Sequence, residues 1–497
     1  MNIKQAKDYI KDSVRIYLKK ENSGEYRIPI MRQRPIFLLG APGIGKTAIM
    51  EQIAEELQIA LVSYTMTHHT RQSALGLPFI KHKTYQGMEY DVSEYTMSEI
   101  ISTIYDTMEE SGVREGILFL DEINCVSETL SPAMLQFLQY KVFGRHRVPE
   151  GWVIVTAGNP PEYNKSVREF DVVTYDRLRV LEVEPDYAAW KIYAREKGIH
   201  AAIISFLELK KEYFYHMETT VKGRLYVTAR GWEDLSEIMK LYEEEGIIID
   251  ETLVGQYLRN DRIVKEFTAY YDLYSKYKKD YQIEEILAGS ITETTISRAK
   301  SAPFDERLSL LGMLMDKVIS EIREVMEEGE CLKDLVPPLK ALQGRDREEI
   351  LNLLEKYRET REKQIHSQQK AGSLSLEEKR RHKRVLGFFE MLQKELVYGN
   401  AEDAYAAIKE LFKKDTDDMK QKTVIIKEHL HHLFSFVEQA FAEGNEMLIL
   451  VTELTVNTKC AAFILQFGCA DYQKNSEKLM LSERQDQMKQ TILELGL

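Results

Sequence analysis

A glycine-rich loop followed by lysine and threonine is the first feature of the sequence that could do chemistry. Gly40-Ala41-Pro42-Gly43-Ile44-Gly45-Lys46-Thr47 has the spacing GxxxxGK[ST] and lies between an apolar run and an amphipathic segment. Glycines at this spacing let successive backbone N–H groups surround phosphates, which the positive end of the following helix also attracts. The loop, together with Ala48, therefore predicts a nucleotide phosphate site in which Lys46 contacts the terminal phosphates and Thr47 binds Mg²⁺.

Two carboxylates and an amide follow later apolar runs. Residues 117–120 end in Asp121 and Glu122, and residues 153–157 precede Gly158 and Asn159. Because the carboxyl ends of parallel strands meet at one edge of a sheet, we expect these side chains to lie beside the loop. Asp121 would hold Mg²⁺, Glu122 would polarise the water that attacks the terminal phosphate, and Asn159 would orient that water. Taken alone, an Asp-Glu pair more often caps a helix, and an Asn-Pro pair more often forms a turn. The roles given to Asp121, Glu122 and Asn159 therefore depend on the presence of Lys46.

Five short apolar runs alternate with amphipathic segments in the first third of the chain, which predicts a parallel sheet with helices on both faces. The predicted strands are residues 36–39, 60–64, 117–120, 153–157 and 180–183. Residues 76–95 break this alternation with Gly76, Pro78 and Gly87, and they predict an inserted loop or hairpin. Strand signals vanish beyond Pro185, and the segments predicted to be helical there are residues 187–197, 201–212 and 231–245.

Residues 290–497 predict a helical C-terminal region with a helical hairpin or coiled segment. Apolar residues recur every three or four positions in residues 308–322 and 385–396, which is typical of packed or coiled helices. Between them, residues 357–384 carry nine basic and four acidic residues and predict either an exposed helical hairpin tip or a flexible linker. The basic run 379–384 could contact nucleic acid or an acidic partner, or form a solvated helix face.

Composition narrows the class of protein further. The 497 residues are 44% hydrophobic and 30% charged, as in ordinary globular proteins, and the formal charge of −13 argues against a basic surface that binds nucleic acid. Four scattered cysteines without a CxxC pair predict reduced thiols, and His68-His69 lack a third residue that would make a metal site. We see no signal peptide and no apolar run long enough to span a membrane, and we expect a cytoplasmic protein.

The order of these elements resembles that of AAA+ ATPases, specifically the MoxR-like branch, over roughly residues 34–250. Residues 40–47 resemble Walker A, residues 120–122 resemble Walker B, and Asn159 resembles sensor 1. Asp176-Arg177 resembles the arginine-finger motif, and residues 228–236, with Arg230, resemble sensor 2.

This resemblance implies an α/β fold, a P-loop αβα sandwich with a five-stranded parallel sheet in the order 5-1-4-3-2. The core would cover residues 1–185, followed by an all-α lid over residues 186–289. It also implies a ring, usually a hexamer, in which Arg177 reaches the neighbouring subunit's site and Arg230 reports nucleotide state to the lid. Leu178 stands where the family usually has Phe, so Arg179 or Arg168 could share or take the role of Arg177.

The resemblance further implies ATP and Mg²⁺ as cofactors, with ATP preferred over GTP on family grounds alone. Hydrolysis would remodel, mature or activate a partner protein in a chaperone-like way, often one with a von Willebrand factor type A domain. The insertion at residues 76–95 is then a candidate substrate or pore contact. Two other readings are an ATP-gated assembly scaffold with negligible turnover and a GTP- or ATP-driven nucleic-acid motor of a restriction system. The acidic charge balance counts against the motor.

Overall fold

The computed structural model describes residues 1–163, 166–220, 223–398, 404–441 and 444–479. The chain divides into two compact units, which are Met1–Ala189 with Glu355–Leu386, and Trp190–Leu354 with Gly387–Leu497. The strands are β1 (Ile36–Gly40), β2 (Ala60–Thr65), β3 (Pro78–Tyr85), β4 (Met88–Tyr95), β5 (Gly116–Asp121), β6 (Val142–Phe143), β7 (His146–Arg147), β8 (Trp152–Gly158), β9 (Arg179–Val183), β10 (His216–Thr220) and β11 (Gly223–Val227).

The α-helices are α1 (Ile3–Tyr17), α2 (Lys46–Leu57), α3 (Arg71–Leu75), α4 (Glu99–Ser111), α5 (Ser131–Tyr140), α6 (Val172–Tyr175), α7 (Tyr187–Lys197), α8 (Ala201–Leu209), α9 (Ala229–Glu244), α10 (Glu251–Tyr257), α11 (Asp261–Tyr281), α12 (Ile283–Leu287), α13 (Glu293–Ser301), α14 (Phe304–Ala341), α15 (Arg347–Ala371), α16 (Leu376–Tyr398), α17 (Ala404–Ala440), α18 (Glu446–Val456) and α19 (Thr458–Phe467).

A five-stranded parallel sheet forms the centre of the first unit, in the order β2-β5-β8-β1-β9. In terms of the five predicted strands this order is 2-3-4-1-5, so both the strands and the order implied by the resemblance are confirmed. Phe37, Leu118 and Ile154 pack with Ile104 of α4 in one core cluster. Phe119 and Val155 directly follow Leu118 and Ile154 along their strands, so they belong to the opposite face of the sheet, and they are also buried. Both faces of the sheet are therefore covered, as expected for parallel strands made of continuous apolar runs.

The predicted insertion at residues 76–95 is a hairpin of β3 and β4. Tyr85 pairs with Met88 across a two-residue turn, in which Gln86 and Gly87 have φ of 51° and 83°. Positive φ at both positions is the geometry of a type I′ turn, whose twist matches that of the paired strands. The hairpin exposes several large apolar side chains, namely Phe79, Ile80, Tyr85, Met88, Tyr90 and Tyr95.

Residues 355–386 pack with the first unit through the end of α15 and the start of α16. Helices α15 and α16 form a hairpin here, which corresponds to one of the two alternatives predicted for residues 357–384, but its tip is buried rather than exposed. Ala371 is fully buried in the core cluster that contains Ile104, and Lys370 forms an ion pair with Glu110 at 2.9 Å. A Cβ on Gly372 would lie 3.0 Å from the backbone oxygen of Leu61. Small residues, which make this segment look like a linker, are what allow this docked tip (residues 371–373) to approach so closely.

The second unit is mainly helical, and Trp190 and Trp232 are buried in it. The expectation of no strand beyond Pro185 is wrong at one place, because β10 and β11 form an antiparallel hairpin in which His216 pairs with Val227. Each strand has only two β-branched or aromatic residues, namely Thr219 and Thr220 in β10 and Tyr226 and Val227 in β11, so the local preference for a strand is weak and the pairing of the two segments decides. Apart from this hairpin, the regular secondary structure in the described part of residues 186–289 is helical.

The contribution of Glu243 of α9 to the free energy of unfolding depends on pH. Burial alone would raise the pKa of its carboxyl group, but hydrogen bonds from His200 and Tyr271 and the ammonium of Lys278 outweigh burial and lower the pKa to about 2. A carboxyl whose pKa is lowered by folding stabilises the protein fully above its unfolded value of about 4.5. This stabilisation is lost as the pH falls from about 4.5 towards 2.

We therefore expect Glu243→Gln to lower the free energy of unfolding at pH 7 by about 1–3 kcal/mol. The free energy of unfolding should also decrease less in this variant than in the parent protein when the pH falls below 4.5. Urea denaturation at pH 7 and pH 3 measures both effects. Glu244→Gln changes an exposed neighbour on the same helix and serves as the control. Equal stability of the two variants at pH 7 would contradict the role given to Glu243.

Within the described residues no cysteine forms a disulfide; Cys331, Cys460 and Cys469 are buried, and Cys125 is partly buried. That part of the chain contains no group of three or more metal-ligating side chains. It also contains no single helix long and apolar enough to cross a membrane, although α18 and α19, which meet at 89°, pass that test as a bent pair.

Candidate nucleotide-binding site

The loop between β1 and α2 depends on glycine at three positions. A Cβ on Gly40 would lie 2.6 Å from the backbone oxygen of Val183 on β9, so only glycine fits there. Gly43 and Gly45 have φ of 74° and 95°, a conformation that other residues rarely adopt. Helix α2 then begins at Lys46, and its first N–H groups have no partner within the helix. The loop thus has the backbone and the helix dipole that a phosphate group requires.

Lys46 connects this loop to the end of β8. Its side chain is only 8% exposed, and its Nζ donates to the backbone oxygens of Gly40 at 2.8 Å and Ala41 at 2.9 Å. The same Nζ donates to Oδ1 of Asn159 at 2.9 Å. The structure therefore brings together Lys46 and Asn159, which are 113 residues apart in sequence.

Thr47 and Asp121 are also adjacent. Thr47 Oγ1 donates to Asp121 Oδ2 at 3.1 Å, and the other carboxylate oxygen, Oδ1, accepts the backbone N–H of Glu122 at 2.8 Å. A hydroxyl and a carboxylate oxygen at one point are the ligands that Mg²⁺ prefers, together with water and phosphate oxygens. The donor set of Thr47 and Asp121 therefore fits this ion.

Glu122 adopts a backbone conformation that is uncommon outside glycine, with φ of 55°. Its Oε2 accepts a hydrogen bond from Thr67 Oγ1 at 2.9 Å, which holds the carboxylate beside the segment that follows β2. Residues kept in sparsely populated conformations cluster at functional sites. Sequence reasoning missed Thr67, although its place just after a predicted strand puts it at the same edge of the sheet.

Asn124 is a second residue that sequence reasoning missed. It is 5% exposed, its Nδ2 donates to the backbone oxygen of Asn159 at 2.8 Å, and its Oδ1 accepts the backbone N–H of Asn159 at 3.3 Å. A Cβ on Gly158 would lie 2.5 Å from that Oδ1. Asn124 therefore fixes the backbone that carries the Asn159 amide. The feature of the sequence that could have identified Asn124 is its position as a polar residue directly after the apolar Ile123.

The three candidate arginines differ in their surroundings. Arg168 forms an ion pair with Glu128 at 2.6 Å, and Arg179 donates to Ser13 Oγ at 2.7 Å. Arg177 is exposed just after α6, and its guanidinium forms no ion pair within the described part of the chain. The neighbouring Val172 is 83% exposed.

Arg230 belongs to the second unit, where it lies exposed in the first turn of α9. Thr228 caps this helix by accepting the backbone N–H of Gly231 at 3.2 Å. The contacts within the first unit bring together Lys46, Thr47, Asp121 and Asn159, and the role of Arg230 stays a prediction.

Comparison with known families agrees with this geometry. Residues 36–175 match the model of the ATPase family associated with various cellular activities (AAA). This segment is therefore similar to AAA ATPase domains. The match begins at the first residue of β1 and ends at the last residue of α6, so the matched segment contains the loop, both carboxylates and Asn159. It indicates nucleotide binding and an ATPase-type activity. No curated protein matches the chain.

Proposed function

We propose that the protein is a MoxR-like AAA+ ATPase that hydrolyses ATP in a ring of identical subunits and so remodels, matures or activates a partner protein. The convergence of Lys46, Thr47, Asp121 and Asn159 at one edge of the sheet carries the proposal. These four side chains come from three separate strand ends and supply the cation, the magnesium ligands and the polar amide that ATP hydrolysis requires.

The site residues divide the reaction among them. The loop N–H groups and Lys46 would bind the phosphates, and Thr47 and Asp121 would hold Mg²⁺, which neutralises charge on the phosphate oxygens when bound. Glu122 would accept a proton from the attacking water. As the proton leaves, the water oxygen would bond to the terminal phosphorus, and the bond between that phosphorus and ADP would break. Asn159, held by Asn124, would orient that water.

A trans role for Arg177 is supported by its surroundings. Arg168 and Arg179 have partners within the chain, whereas Arg177 is exposed, and so are the apolar Val172 and Val173, which precede it by five and four residues. An exposed arginine beside exposed apolar residues suits a contact with a neighbouring subunit. AAA domains commonly form rings, and the resemblance suggests six subunits.

The hairpin of β3 and β4 is the surface that we assign to the partner protein. It presents Ile80, Tyr85, Met88 and Tyr90 to solvent, and apolar residues at this density on a surface are typical of protein contacts. Glu94, near its base, pairs with Arg145 at 2.7 Å and so connects the hairpin to the turn between β6 and β7. A von Willebrand factor type A domain in the partner is suggested by the resemblance alone.

ATP hydrolysis per subunit, measured across a wide range of protein concentration, tests the proposal. We expect turnover to rise steeply with concentration, because each site is completed by a neighbour, and to be faster with ATP than with GTP. The Glu122→Gln variant supplies the blank. Turnover equal to that blank at every concentration would instead favour an ATP-gated scaffold.

Mixing two inactive variants tests the trans assignment of Arg177. Arg177→Ala keeps the phosphate-binding loop intact but lacks the finger, whereas Lys46→Ala keeps the finger but lacks the lysine that contacts the phosphates and binds ATP more weakly. We expect each variant alone to lose turnover by about 10³-fold or more, as arginine fingers do elsewhere, and the mixture to recover part of it. Arg168→Ala and Arg179→Ala are the matched controls. Normal turnover by Arg177→Ala would show that another arginine has this role.

A further inference from the structure

The basic run at residues 379–384 belongs to α16 and exposes one side of that helix to solvent. At 3.6 residues per turn, its four exposed cations occupy an arc of about 140° around the helix axis. They form what we call the basic face, which consists of Lys379, Arg380, Lys383 and Arg384. Neither the phosphate-binding loop nor the proposed ATPase reaction uses these side chains.

The opposite side of α16 is fixed within the first unit. His382 is only 3% exposed, and its Nδ1 accepts a hydrogen bond from Arg361 Nε of α15 at 2.8 Å. Its Nε2 lies 3.2 Å from Oε1 of Gln368, also on α15. Val385, one turn after Arg381, is fully buried. The basic face is therefore presented by an anchored helix, and a partner that binds it has little chain ordering to offset.

The charges of the basic face are not neutralised by the chain. Within the described residues, none of its four cations forms an ion pair or a side-chain hydrogen bond. The neighbouring Glu378 pairs instead with Arg381 at 3.8 Å. On α15, Glu355 and Glu362 pair with Arg358, at 3.1 Å and 3.8 Å. The four positive charges thus remain available to a partner.

This arrangement is unfavourable for an isolated helix. Lys379 and Lys383 are four residues apart, as are Arg380 and Arg384, and like charges at this spacing destabilise a helix. The sequence has 80 acidic and 67 basic residues, so acidic residues are abundant, yet the described part of the chain places none against the basic face. An external group of opposite charge would relieve the repulsion.

The exposed residue at the start of α16 indicates which kind of anion fits. Leu376 is 70% exposed and lies one turn before Lys379 and Arg380, within the same arc. An apolar group at this point suits a protein partner, whereas the basic face offers no aromatic side chain on which a nucleic-acid base could stack. The formal charge of −13 also repels extended polyanions such as nucleic acids and anionic membranes.

An acidic helix matches the spacing of these cations. Glutamates placed four residues apart on a partner helix are about 6 Å apart along its axis, which is also the separation within each like-charge pair of the basic face. A short helix brings few negative charges, so the overall repulsion from this chain stays small.

We propose that the basic face binds an acidic amphipathic helix of a partner protein. Carboxylates of that helix pair with the four cations, and an apolar residue beside them packs on Leu376. This contact is separate from the hairpin of β3 and β4 and does not require nucleotide.

Fluorescence anisotropy with the full chain and a labelled helical peptide tests the proposal in the absence of nucleotide, so that the result does not depend on the proposed ATPase. The probe has three repeats of Glu-Ala-Ala-Leu-Glu-Ala-Ala, and in the comparison peptide Gln replaces every Glu. We expect the acidic peptide to bind about tenfold or more tightly at low salt, with a preference that shrinks as salt is added. Equal binding of the two peptides overturns the proposal. So does tighter binding of polyuridylate RNA or of phosphatidylserine vesicles.

Variants then locate the contact. Replacing all four cations of the basic face by Gln should remove the preference for the acidic peptide without lowering the melting temperature, because like-charge repulsion is removed. Lys19→Gln, at an exposed site in the same unit, should bind as the parent does. The double variant Lys383→Gln with Arg384→Gln should weaken binding about threefold or more. Parental affinity in this folded double variant overturns the assignment, even if the fourfold variant fails to fold.

Discussion

ATP hydrolysis by the Glu122→Gln variant is expected to fall by about 10²–10⁴-fold while ATP binding persists, because the amide cannot accept a proton from water. The substitution keeps the shape of the side chain and an oxygen that can accept from Thr67, so the local structure should remain. Phosphate release measured with saturating ATP gives the rate, and equilibrium titration with a fluorescent ATP analogue gives the affinity.

Glu109→Gln is the matched control, because Glu109 is an exposed glutamate of α4 in the same unit. Its turnover and affinity should equal those of the parent protein. A Glu122→Gln variant that hydrolyses ATP at the parental rate would remove Glu122 from the reaction, and the search for the base would then turn to other polar groups at this sheet edge.

The Lys46→Ala variant is expected to bind ATP about 10- to 100-fold more weakly, because it loses a charged hydrogen-bond donor to the phosphates. It also leaves Oδ1 of Asn159 and two backbone oxygens without the donor that they share. The same ATP titration measures this loss, and circular dichroism checks that the fold is intact. Lys4→Ala, at an exposed site on α1, should bind ATP as the parent does, and parental affinity of Lys46→Ala would contradict the assignment.

Much of the first unit could be predicted because its signals are local. Strands buried on both faces appear as apolar runs, so residues 36–39 and 117–120 could be recognised without any knowledge of their neighbours. The loop at residues 40–47 is equally local, since the glycine positions and Lys46 act within one strand-loop-helix segment. The strand order followed from the resemblance, because apolar runs alone do not say which strands are neighbours.

The features that sequence reasoning missed depend on segments that are distant along the chain. In the sequence, Asn124 and Thr67 are ordinary polar residues. Their roles follow only from the fold, in which Asn124 bonds to the backbone of Asn159 and Thr67 bonds to the carboxylate of Glu122. The choice among the arginines likewise depends on Glu128 and Ser13, which the sequence does not place near Arg168 and Arg179. Likewise, β10 and β11 are strands because they pair with each other, a contact that outweighs weak local preferences.

The docked tip makes the first unit discontinuous, and this affects how the chain is synthesised. Residues 1–189 emerge from the ribosome with the pocket for Ala371 still uncovered, because Ala371 has yet to be made. Residues 190–370 must be translated first, which takes roughly 10–40 s at ~5–20 residues per second. During this interval the nascent first unit carries an open apolar site next to Ile104. Complete folding of the first unit thus waits for a segment encoded far downstream.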